Sequence, residues 1–72
     1  MFKLGDLVRV GGRISEKDIN YHKRGIVKDY VGPYPVVEMI EPFDGGEVTV
    51  NWLSDTAWEL CQNSTTVFNS LL

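Results

Sequence analysis

Residues Glu47 to Leu60, EVTVNWLSDTAWEL, are the stretch on which the fold reading turns, because alternation, turn chemistry and large aromatics agree there. Val48, Val50 and Trp52 share one face at period two, and Trp58 and Leu60 repeat the pattern after the polar break Ser54-Asp55-Thr56. The reading is two strands joined by a tight connection, one turn of tight helix at Ser54 to Thr56. The chain upstream then supplies further short strands that close a small barrel over both tryptophans.

Working outward, Leu4-Gly5-Asp6 is a turn-like opening to a first strand, Leu7 to Val10, with Val8 and Val10 inward and Arg9 outward. Gly11-Gly12 breaks that strand, and Arg13 to Arg24 form a long first loop. Ile14, Ile19 and Tyr21 are too apolar for a solvated tether, so the loop is expected to fold back over the core. Gly25 to Tyr30 read as the second strand, with Val27 inward. Two prolines make Gly32-Pro33-Tyr34-Pro35 a rigid connection. Val36 to Ile40 is the third strand: Glu38 faces water, Val37 and Met39 face inward, and Val36 and Ile40 lie on the outer face. Asp44-Gly45-Gly46 signals a hairpin that pairs the third strand antiparallel with the fourth. The last strand is Ala57 to Cys61.

The expected fold is therefore all-β: a five-stranded antiparallel barrel over residues 2–61, with a carboxy-terminal tail, 62–72, that frays or docks. The expected core is Val8, Val10, Val27, Val37, Met39, Val48, Val50, Trp58 and Leu60. At 72 residues such a core supplies only roughly 3–5 kcal/mol of net stability. Self-association would add to it.

The strand set LGDLVRV (4–10), GIV (25–27), VTVNW (48–52) and WEL (58–60), with its long first loop, resembles SH3-like small barrels. It looks most like compact bacteriophage barrel proteins and, more distantly, KOW and Tudor-type modules. The resemblance implies an SH3-like barrel and the host cytoplasm. It does not extend to the Ala-Leu-Tyr-Asp-Tyr run or paired tryptophans of peptide-binding eukaryotic SH3 domains, which argues against proline-rich ligands. Lys23-Arg24-Gly25 with Lys28 fits in part the basic surround that KOW-type nucleic-acid binders place at their second strand.

Composition narrows the chemistry. One thiol, Cys61, precludes an internal disulfide and fits a reducing, cytoplasmic setting. No segment approaches the ~20 apolar residues of a membrane helix, and no signal peptide is recognised. Cys61 lies far in sequence from the one histidine, His22, and a nucleophilic pair also needs an orienting third group. Two such ligands fall short of a structural zinc site, and Asp44, Glu47 and Asp55 read as turn and surface carboxylates. Gly11-Gly12-Arg13 and Gly45-Gly46 lack a phosphate-loop lysine and read as turns. No cofactor, metal or catalytic residue is expected.

Net charge is −3, unevenly spread: residues 1–28 hold every lysine and arginine and sum to +4, whereas residues 29–72 sum to −7. Either this polarity steers a partner or the two halves pair and their charges intermingle. A basic surface of Arg13, Lys17, Tyr21, Lys23, Arg24 and Lys28 is the nucleic-acid alternative, opposed by the acidic balance. Tyr30, Tyr34, Phe43 and Trp52 are candidates for an aromatic cage around a cation. The favoured expectation is a non-enzymatic protein-interaction or assembly module. Its interface would use outward apolar residues Ile26, Val36, Ile40 and Leu53 with Val67, Phe68, Leu71 and Leu72 of the tail, against a protein partner or a second copy.

Overall fold

The computed structural model describes residues 1–61; Val67, Phe68, Leu71 and Leu72, offered above as interface residues, lie outside the described residues. Five strands form one antiparallel sheet: β1 (Leu7–Val10), β2 (Arg24–Val31), β3 (Tyr34–Phe43), β4 (Glu47–Val50) and β5 (Trp58–Leu60). A 3-10 turn, Asp55–Ala57, precedes β5. The strand order is β4-β3-β2-β1-β5, so β4 and β5 are the two edges. The two strands of the EVTVNWLSDTAWEL stretch do not pair with each other. β4 pairs with β3, and β5 crosses to pair with β1.

Alternation in β1 works as expected: Val8 and Val10 are buried to 1% exposure or less, and Arg9 lies between them on the other face. The opening turn is bound to the sheet, since the Gly5 N–H donates to the Val27 carbonyl at 2.7 Å and Val27 donates back to Asp6 at 3.0 Å. In β2 the register against β3 slips by one residue at Lys28, a bulge. That slip puts Val27 and Tyr30, three apart in sequence, on the same inner side.

The rigid connection is shorter than the prolines suggest. Only Gly32 and Pro33 form the turn, and Tyr34 and Pro35 already belong to β3. Pro35 is tolerated, fully buried, because β4 pairs with β3 only from Val37 onward; at Pro35 the strand has β2 on one side and no ladder on the other. Pro42 sits in a second irregularity. Four residues of β3, Met39 to Pro42, lie opposite the single Val48 before pairing resumes at Phe43 and Glu47.

Two of the expected core positions, Val48 and Leu60, lie outside the core. Val48, expected inside, is 52% exposed, because the bulged β3 swings past it and Phe43, 4% exposed, enters the core instead. Leu60 ends an edge strand and is 39% exposed. Trp52 lies beyond the end of β4 and is 53% exposed, so one tryptophan rather than two lies in the core. The core is Val8, Val10, Val27, Val37, Met39, Phe43, Val50, Ala57 and Trp58, with Phe2, Ile14, Tyr30 and Leu53 packed partly against it. Ile14 of the first loop covers the core as expected, whereas Ile19 is exposed.

Candidate functional site: an aromatic cleft beside the 3-10 turn

After Val50 the chain leaves the sheet, and the residues up to the 3-10 turn are positioned by contacts on both sides. Trp52 rests edge-on against Phe43, with ring centroids 5.9 Å apart, and its Nε1–H donates to both carboxylate oxygens of Glu47 at 3.3 Å. Phe43 also lies against Trp58, at 6.2 Å. The exposed indole is thus held by a buried ring and a carboxylate. Leu53 packs on the core edge, and the Ser54 and Thr56 hydroxyls bond each other at 2.9 Å.

The first loop forms the opposite wall. Gly11 and Arg13 donate backbone bonds to the carbonyls of Ala57 and Thr56, both at 2.9 Å, which fastens the loop to the 3-10 turn. Gly12 between them has φ +56, and a Cβ there would strike the Thr56 carbonyl oxygen, so glycine is required for this approach. Further along, the Asn20 side-chain oxygen accepts from the Asp44 N–H at 2.9 Å and the Lys23 ammonium at 3.1 Å, tying the loop to the β3–β4 turn.

Between these walls lies an open cleft of about 360 Å³ bordered by Arg13, Ile14, Tyr34, Trp52, Leu53 and Thr56, among others. A smaller recess of about 130 Å³, reaching Asp18, Asn20 and Phe43, shares Ile14, Trp52 and Leu53 with it. Behind the cleft, the Phe2 N–H donates to the Tyr30 hydroxyl and that hydroxyl donates to Asp55, both at 2.9 Å, which anchors the 3-10 turn to β2. Burial is the main cause that raises the Tyr30 phenol above its ordinary value.

The sequence-derived candidates divide among three places. Leu53 lines the cleft, while Ile26, Val36 and Ile40 lie on the outer face of the sheet, Ile26 and Val36 half-buried and Ile40 exposed. On that face Arg9 pairs with Glu59 at 3.0 Å and Arg24 with Glu41 at 2.9 Å, so basic strands from the first half meet acids from the second. Charge intermingles where the halves pair. Of the basic set, Arg13 lines the cleft, Lys17 is exposed, Tyr21 stacks on His22 at 3.9 Å, Lys23 is held by Asn20, Arg24 is paired and Lys28 marks the bulge. Of the proposed aromatic cage, Tyr34 and Trp52 border one cleft, but Phe43 is buried beneath it and the Tyr30 hydroxyl is engaged with Asp55.

The cleft's debt to Ile14, Ser54 and Thr56 had no signal in spacing, since only the bonds between the first loop and the 3-10 turn bring them together. Burial pushes the Cys61 thiol above its ordinary value, the opposite of an activated nucleophile. Among the described residues no three His, Cys, Asp or Glu side chains gather as a metal site, and no helix is long and apolar enough to cross a membrane. No protein-family model, curated protein or solved structure matches the chain.

Proposed function

We propose that this chain is a non-enzymatic protein-interaction module and that the cleft beside the 3-10 turn is its binding surface. The observation that carries the reading is the held exposure of Trp52. A tryptophan left half in water, yet fixed by Phe43 and Glu47, offers a large apolar surface at little further cost in side-chain order. Tyr34, 42% exposed, and Leu53 extend that surface into a concave patch with hydroxyls at its rim. Aromatic residues in such recesses dominate the energetics of many protein interfaces.

The test is selection of linear peptides from a displayed library on the full 72-residue chain, followed by binding measurements on the Trp52→Ala and Ile40→Ser variants. The expected result is peptides whose affinity falls at least about tenfold on Trp52→Ala, in line with an interface anchor, and stays within about twofold on Ile40→Ser, a substitution on the outer face. Peptides that bind Trp52→Ala as well as the unaltered chain, or a selection that yields none, would refute the assignment.

A further inference from the structure

We infer that the cleft takes an extended peptide segment carrying one carboxylate, held by Arg13, with the neighbouring apolar side chain against Trp52 and Tyr34. This rests on the cleft being the binding surface and adds the chemistry of what it binds. Three observations converge. Arg13 borders the cleft and, unlike Arg9 and Arg24, makes no ion pair among the described residues. Its backbone N–H is fixed to the Thr56 carbonyl, so the side chain starts from a set position at the cleft's edge.

The second observation is backbone. Trp52, Leu53 and Ser54 form the cleft's wall outside any strand, and their N–H groups donate to no protein acceptor among the described residues. An amide without a protein acceptor can donate to a carbonyl of an extended peptide, with alternate residues facing the same side as when a strand is added to a sheet edge. The third is the distribution of charge. Asp18 borders the adjoining recess, and Glu47 is bonded to the Trp52 indole. A ligand rich in acids would meet repulsion there, whereas a single carboxylate at the Arg13 end would be held by a charge-assisted bond.

The experiment uses the full chain labelled with ¹⁵N and two series of capped, β-branched synthetic hexapeptides, identical except for one glutamate or one glutamine. A short oligothymidylate serves as the nucleic-acid probe. Glutamate peptides are expected to bind about tenfold more tightly than their glutamine counterparts. They should shift the amide signals of Trp52, Leu53 and Ser54, and Arg13→Gln should remove most of the preference with its spectrum otherwise unchanged. Equal binding of the two series, abolished by Trp52→Ala, would overturn the carboxylate assignment and leave the cleft as the binding surface. Failure of both series to move these signals would overturn both readings. Oligothymidylate moving them in place of the peptides would overturn both in favour of nucleic acid.

Discussion

The two tryptophans separate sharply in what their removal should do to the fold. Trp58 is 4% exposed and packs against Phe43 in the core. Truncating such a side chain to alanine costs about 3–5 kcal/mol, which spans the whole net stability of roughly 3–5 kcal/mol that a domain of this size draws from one core. Trp58→Ala should therefore be largely unfolded at 25 °C. Trp52 is 53% exposed, so about half of a side chain of roughly 200 Å² is shielded. At about 25 cal/mol per Å² the shielded half is worth roughly 2.5 kcal/mol. That is an upper value, because the unfolded chain already covers part of it and alanine keeps some, so Trp52→Ala should cost about 1–2 kcal/mol. The assay is urea unfolding of the full chain followed by far-ultraviolet circular dichroism. Trp52→Ala should keep a cooperative transition at a lower midpoint, and Trp58→Ala should show little or no folded baseline. Equal losses for the two variants, or a larger loss at Trp52, would refute the placement of one indole inside and one outside.

Two further substitutions probe the sheet. Gly25 is buried where β2 crosses β3, and a Cβ there would come to 2.5 Å from Val37 Cγ1 and 2.8 Å from the Glu38 carbonyl oxygen. Gly25→Ala should cost about 1–3 kcal/mol by overpacking, read as a lower urea midpoint with an unchanged slope, and an unchanged midpoint would contradict the close approach. The Glu59 carboxylate is held below the ordinary glutamate value of 4.5 by the Gly12 backbone N–H first and Arg9 second. Its contribution to stability is therefore present above pH 4.5 and lost as pH falls through the lower folded value. Glu59→Gln should lower the unfolding midpoint at neutral pH, and the gap to the unaltered chain should close on acidification. A gap that stays constant from neutral to acid pH would remove this role.

The outer face of the sheet illustrates how little the formal charge division of the chain says about its surface. Arg9 and Arg24 belong to the basic first half, yet each finds an acid from the second half beside it, Glu59 and Glu41. Such half-exposed pairs add little to stability, but they neutralise the two arginines of the central strands. Arg13 is left in a different position, at the rim of an aromatic cleft. Only the order of strands in space distinguishes these three arginines.

Local rules were enough for much of the fold. Period-two alternation placed Val8, Val10, Val27, Val37, Met39 and Val50 inside, glycines and Asp44 placed the turns, and the polar break before Ala57 held one tight turn of helix, all because these depend on near neighbours in the chain. The same rule failed at Val48, Trp52 and Leu60, where the side that counts as inside depends on a partner strand. The extra residues of β3 between Glu38 and Phe43 turn Val48 outward and bring Phe43 in, β4 ends before Trp52, and Leu60 has a neighbour on one side alone. Trp52 and Tyr34 were legible as aromatics near strand ends. Their meeting with Arg13 and Ile14 was decided by tertiary bonds between the first loop and the 3-10 turn, contacts between residues about 40 apart that no local pattern in the chain encodes.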